Sequence, residues 1–209
     1  MKLTILGATG SVGQKLVDQA LAANHTVTVL VRNPEKLGAL RSRVTVVQGD
    51  VTNADAVKDA IAGNDAVIST LGHSKGSPDD VLTVASSNTI AAMRNAHVKR
   101  LVVLANTALP DSDDHPTFGQ RIQRRMMGMI IGQINRDHAT QAQHIEASGL
   151  DWTIVRAATL ADGPHTGKYH VGQLDSNAGN RIIRADVADF LLACAINGKY
   201  AGAMPVVSQ

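Results

Sequence analysis

Aromatic side chains are almost missing from this chain: two phenylalanines, two tyrosines and one tryptophan stand among 209 residues. A core of ordinary size must then be assembled from Val, Ile, Leu and Ala, which suits buried parallel strands covered by helices. Cysteine is scarcer still. With Cys194 alone, an internal disulfide and any cysteine-rich metal site are excluded, and its setting, DFLLACAI, reads as a buried helix face. Neither sign of charge dominates, since 20 Lys and Arg against 18 Asp and Glu leave a formal charge of +2. That balance gives no reason to expect a nucleic-acid partner. No apolar run reaches the ~18 residues that a membrane helix needs, and residue 1 leads into a strand pattern without a charged leader. A cytoplasmic protein with no membrane partner is expected, with a monomer favoured. No repeat, low-complexity tract or linker divides the chain, so residues 1–209 read as one domain.

What the sequence has is alternation. Short aliphatic runs lie at 3–6, 26–31, 44–47, 65–70 and 100–105, and stretches of helical spacing lie between them at 11–23, 34–40, 53–62 and 80–96. Strands and helices alternating on this scale imply βαβ units, and hence an α/β fold of Rossmann type with a doubly wound parallel sheet. Gly63 and Asn64 suit the end of the third helix. The second half is less regular. Residues 109–119 have the proline, acid and glycine of a surface loop, with DSDD at 111–114 simply polar. Helical sequence then runs to about Ala147, followed by a strand at 152–156, a glycine-rich loop over 157–180 and a helix at 184–196 capped early by Asp186. A small C-terminal extension on the substrate side is expected mainly from 107–135 and 157–180.

The motif that carries chemistry is TILGATGSVGQ, residues 4–14. A strand, three glycines at Gly7, Gly10 and Gly13, and a helix follow one another. Such a turn can aim backbone N–H groups at a phosphate from a helix N-terminus, where the macrodipole adds positive potential. The first glycine permits the turn, the second lets a cofactor approach, and the third lets helix and strand pack closely. Thr9, Ser11 and Val12 belong to the same expected cradle. A structural strand-to-helix turn is the alternative, which the repeated βα context disfavours.

The second strand ends VLVRNPEKL. Where an NAD enzyme places an acid, this chain has Arg32, whose planar guanidinium suits a 2′-phosphate, so NADP(H) is the expected cofactor. Thr9, Asn33 and Lys36 are further candidates nearby. A strand-end arginine that merely faces solvent is the plainer reading. After the third strand, Asp50 can accept from the adenine amino group while Val51 packs the ring. Asp50 can equally open a loop before a helix capped by Thr52 or Asn53, and both can hold together.

These motifs resemble the atypical short-chain dehydrogenase/reductase superfamily. The segments ASGLDWTIVR (147–156), LADGPHTGKYHV (160–171) and IIRADVADFLL (182–192) are similar to its NAD(P)H-binding, NmrA-like members, nearest the biliverdin-IXβ reductase/flavin reductase branch. The resemblance covers essentially the whole chain. It implies an NADP(H)-dependent oxidoreductase acting on a small conjugated acceptor such as a flavin, quinone or tetrapyrrole, although the branch also contains non-catalytic redox sensors. The superfamily's Tyr-x-x-x-Lys pair is missing: neither Tyr169 nor Tyr200 has a lysine four places on, and the two motif positions fall on Ile134 and His138. This departure argues against alcohol–ketone chemistry, which needs a positioned proton donor. It fits hydride transfer to a conjugated ring, where orientation over the nicotinamide contributes most of the rate.

The resemblance places Thr107 beside the nicotinamide as a positioning hydroxyl, with Asn106 next to it. It gives His138 a role at the ribose or in proton relay, with an ordinary helix histidine as the equal alternative. Leu71 and Gly72, after the fourth strand, and Ala158, in the RAATL loop, are expected along the cofactor. His165, Thr166 and Tyr169 lie in a loop able to cover the site. The methionine-rich stretch 126–131 can wall a planar-substrate pocket, a core or a dimer face, and Arg121, Arg124 and Arg125 read as a solvated face, with attraction of an anionic substrate such as FMN as the alternative.

Overall fold

A computed structural model describes residues 1–74, 76–122 and 132–209. The βα alternation forms as expected. In chain order come β1 (Lys2–Leu6), α1 (Ser11–Ala22), β2 (Thr26–Val31), a 3-10 helix (Pro34–Arg43), β3 (Thr45–Gln48), α2 (Ala54–Ile61), β4 (Ala66–Ser69), α3 (Val81–Asn95) and β5 (Arg100–Asn106). The second half adds α4 (Gly132–Glu146), β6 (Asp151–Ala157), β7 (Thr159–Ala161), β8 (His170–Gly172), β9 (Arg181–Ile183), α5 (Arg184–Asn197) and β10 (Val206–Ser208). The main sheet has the order β3-β2-β1-β4-β5-β6-β10-β8. Its pairs are parallel except β10 with β8, and β7 and β9 form a separate parallel pair. This is a Rossmann-like α/β fold.

Strand side chains alternate between two cores because successive residues point to opposite faces. Leu3 and Ile5 of β1 pack in one core with Leu16 and Val17 of α1 and Leu191 of α5. Leu6, the residue after Ile5, joins Ile61, Met93 and Ile145 of α2, α3 and α4 in the other. Each such aliphatic side chain contributes roughly 1.5–3 kcal/mol on burial. Cys194 is buried in the first core as the sequence implied, and burial pushes its thiol up to about 11. At the start of β6, half-buried Trp152 packs against the second core. Gly63 has φ +71° and Asn64 Nδ2 donates to the Ala60 carbonyl, so the two residues do end α2.

Four local expectations need correcting. The helix at 34–40 is a 3-10 segment extending to Arg43, broken at Gly38, whose φ of +55° lies outside the helical region. The loop at 157–180 contains β7 and β8, and β10 lies beyond every strand read from the sequence. Asp186 does not cap its helix. It is fully buried and accepts from the Thr166 and Gly167 amides at 2.8 and 2.9 Å, tying the loop before β8 to α5. Burial raises its pKa, but these bonds, with those from the Thr166 hydroxyl and Gln209, outweigh burial and hold it below 3.8.

Nor is DSDD simply a polar surface loop. Asp114 is almost wholly buried and pairs with the fully buried Arg156, Oδ2 to Nη1 at 2.8 Å, while Asp111 lies 3.5 Å from Nη2. Arg156 also donates to Met204 O, Leu109 O and Gln173 Oε1. A guanidinium out of water must spend its donors on acceptors, and the acidic loop supplies them. The segment read as a polar surface loop is therefore anchored to the end of β6. Among the described residues no helix is long and apolar enough to cross a membrane. Arg124, Arg125 and the methionines of 126–131 lie outside the described residues.

Candidate functional site

The strand order reverses between β1 and β4, so the chain leaves their carboxyl ends in opposite directions and opens a crevice there. The glycine turn occupies its floor. Gly7 has φ +83°, and a Cβ on it would fall 2.8 Å from Thr70 Oγ1. A Cβ on Gly13 would fall 2.1 Å from the Gly7 carbonyl oxygen, so this glycine brings α1 against the turn. Gly10 N donates to Gly7 O at 2.9 Å and closes the turn. Among the described residues no side chain caps α1, whose N-cap is Gly10, and no acid sits in its first turn. The N–H groups at its start are thus left for an anion, with the helix dipole behind them.

On one side of the turn lies a cleft of about 330 Å³, lined by Gly7, Thr9, Arg32, Asp50 and Val51 among others. Arg32 Nη2 donates to Ser74 Oγ at 3.1 Å, and its Nε lies 3.8 Å from Asp50 Oδ2, with most of its side chain exposed. Asp50 Oδ1 accepts from the Thr52 amide and hydroxyl at 2.9 and 2.8 Å. The amide bond is the main reason its carboxyl sits below 3.8, with the Thr52 hydroxyl and Arg32 adding to it against burial. Asn53 caps α2 through the amides of Asp55 and Ala56, so the loop-and-cap reading holds while Asp50 still faces the cleft. Asn33 spends its side-chain oxygen on the Glu35 amide, capping the 3-10 segment. Neither Asn33 nor Lys36 lines this cleft.

A larger cleft of about 690 Å³ continues along the strand ends, sharing Gly10, Thr70, Leu71, Gly72 and Ser74 with the first. Ser11, Val12, Asn106, Thr107, His138 and Ala158 line it, and all came from the sequence. Asn106 turns its side-chain oxygen to the Ala108 amide at 2.9 Å, fixing the bend after β5 from which Thr107 faces the cleft. An added Cβ on Gly72 would meet nothing within 4 Å. His73, Gln120, Leu160 and Leu174 also line the cleft. His73 had a local signal, following Gly72 directly. Gln120 sits in the stretch read as helical, with nothing local to mark it, whereas Leu160 and Leu174 come from short or irregular segments with no periodic pattern.

His138 projects from α4. Among the described residues its buried Nδ1 has no hydrogen-bond partner, and its ring lies edge-on to His73 with centroids 6.4 Å apart. Burial lowers its pKa below 6.5, a charge on His73 lowers it further, and neighbouring Asp137 opposes both. Neutral imidazole is therefore the form at pH 7, carrying one N–H and one lone pair. Tyr169 does not line the clefts: its hydroxyl donates to Asp189 Oδ2 at 2.6 Å, and burial with that bond pushes its pKa up. Thr166 is bonded to Asp186, and His165 lies within 4 Å of Asp186 and Asp189. The expected cover is thus drawn onto α5. Arg121 is exposed, with Nε donating to the Pro116 carbonyl.

Two clefts that meet at an uncapped helix start give room for an elongated anionic ligand. A family profile described as NAD(P)H-binding matches residues 7–197. A (4-alkanoyl-5-oxo-2,5-dihydrofuran-3-yl)methyl phosphate reductase of Streptomyces griseus is 31% identical over 160 residues, 76% of this chain and 48% of its own length. Photosystem II assembly factor Ycf39 of a Synechocystis strain is 31% identical over 185 residues, 85% of this chain and 50% of its own. The chain thus spans about half the length of these curated relatives. Among solved structures, the Escherichia coli O157:H7 protein described as ChuY, an anaerobillin reductase, has a TM-score of 0.84. At 23% identity it covers 100% of this chain and 97% of its own, a likeness of fold.

Proposed function

Because the chain belongs to the NAD(P)H-binding family, we propose that it is an NADPH-dependent reductase of a flavin or a similar conjugated acceptor, such as a quinone or tetrapyrrole. The observation that carries this reading is the larger cleft, which runs from the uncapped start of α1 to Thr107 and His138. Among the described residues the site fits a dinucleotide on two counts: α1 begins without a side-chain cap, and His138 keeps a buried nitrogen without a partner. When bound, the nicotinamide supplies a hydride.

The chain's own residues then divide the work. The Ser11 and Val12 amides hold the pyrophosphate. Arg32 would hold the 2′-phosphate, and Asp50 and Val51 the adenine. Leu71, Gly72, Asn106 and Ala158 line the nicotinamide half and keep water off it. Thr107 orients the acceptor through its hydroxyl. His138 touches the ribose or passes a proton, as its neutral imidazole allows. Most of the acceleration in such a site comes from orientation and exclusion of water.

The test is direct. Purified protein with NADPH is given FMN, riboflavin, a quinone or biliverdin, and the nicotinamide absorbance is followed. Turnover with any acceptor supports the reductase. Tight NADPH binding with no turnover across the panel sinks it and favours a second reading, a non-catalytic NADP(H)-binding sensor or regulatory protein. The similarity to a protein named as an assembly factor favours that alternative.

A further inference from the structure

We propose that Arg184 is a second phosphate-binding residue of the cofactor site, reaching the pyrophosphate from α5. The inference rests on the dinucleotide reading above and assigns that ligand a contact outside the glycine motif. Arg184 opens α5, and its Nε donates to Ser11 Oγ at 3.2 Å. Ser11 is the first residue of α1 and lines the larger cleft. A guanidinium therefore stands at the helix start where an anion is expected, although it lies 173 residues away in sequence.

Its other contact explains how it waits there. Arg184 Nη1 lies 2.9 Å from Asp162 Oδ1, with the arginine side chain 22% exposed and the aspartate 88% exposed. The parallel pairing of β7 with β9 sets Ala161 against Ile183, so the residues that follow them, Asp162 and Arg184, emerge side by side. An exposed ion pair of this kind contributes little. A cation at the start of α5 also opposes that helix's own dipole. A pyrophosphate offers the guanidinium two parallel acceptors and two negative charges beside two helix N-termini, which the lone exposed carboxylate does not. Arg32 cannot serve here, because it stands by Asp50 and Ser74 in the other cleft. Asp162 is then the group that Arg184 gives up when the cofactor arrives.

The test is calorimetric titration of the full chain with NADPH and with 2′-AMP, which has the 2′-phosphate but no pyrophosphate. Arg184→Gln is expected to weaken NADPH binding at least about tenfold, as loss of a charge-assisted contact should, and to leave 2′-AMP unaffected. Asp162→Asn, an exposed change with little to lose in folding, is expected to tighten NADPH binding by freeing the arginine. NADPH affinity equal to wild type in Arg184→Gln overturns the proposal, as does a parallel loss of 2′-AMP. Unchanged or weaker NADPH binding in Asp162→Asn overturns the exchange. A wild-type chain that binds neither ligand overturns the cofactor reading itself, which separates the two failures.

Discussion

Asp137 Oδ2 stands 3.0 Å from His73 Nε2 and accepts from the Leu82 amide at 2.9 Å, while its Oδ1 accepts from the Thr83 amide. One buried carboxylate on α4 thus caps α3, whose own Asp80 makes no side-chain cap. It also meets the loop after β4, where His73 lines the cleft. Asp137→Ala removes a helix cap and strands buried amides, so a loss of about 2–3 kcal/mol is expected in urea unfolding. Asp137→Asn keeps an acceptor and should recover part of it. An alanine variant as stable as wild type would contradict the cross-helix cap.

The pH dependence follows from His138. Its folded pKa lies below 6.5, so between the two values the unfolded chain binds more protons and stability rises with pH. The cost is absent above pH 6.5 and accumulates as pH falls through the window beneath it. His25 adds an effect of the same sign, from burial and then the N-terminal charge. His138→Gln should flatten the acid side of the melting-temperature profile without abolishing its slope. A profile unchanged in that variant would refute burial as the cause.

Arg32→Asp tests the choice of cofactor. The substitution places a carboxylate where the 2′-phosphate is proposed to lie, beside Asp50 at the mouth of the smaller cleft. NADPH affinity should fall about 10- to 100-fold relative to NADH, the scale of losing a charge-assisted pair and gaining a repulsion. Parallel fluorescence titrations with the two nucleotides measure it. An unchanged ratio would remove Arg32 from the site.

Two glycines should separate folding from binding. Gly13→Ala drives a Cβ into the Gly7 carbonyl, and overpacking against backbone should cost about 1–3 kcal/mol or more. Gly72→Ala meets only open space, so its melting temperature should hold while NADPH binding weakens. Equal stability of the two variants would show that α1 does not need its close approach.

The first half of the fold and most of the candidate site were legible in the sequence because both are local. A strand, a glycine turn and a helix announce themselves within about a dozen residues, and Arg32, Asp50 and Thr107 follow strand ends at the crevice. The unread parts depend on distant pairing. Arg156 meets Asp114 across 42 residues and Gln173 across 17, and neither acid nor arginine shows locally that it will be buried. A three-residue β10 between β6 and β8 has no periodicity to detect. Asp186 was misread because an acid in the first turn normally serves its own helix, whereas here it serves a loop.

Trp152 gives the molecule an internal lamp at a useful distance. The chain's single tryptophan is the second residue of β6, whereas Ala158, just past the far end of that strand, lines the cleft. Six residues of extended chain at about 3.3 Å each separate them by ~20 Å. A reduced nicotinamide in the cleft would then be too far to quench the indole by contact, yet close enough to collect its emission. The same indole signal, read without cofactor, reports only on whether the second core is intact.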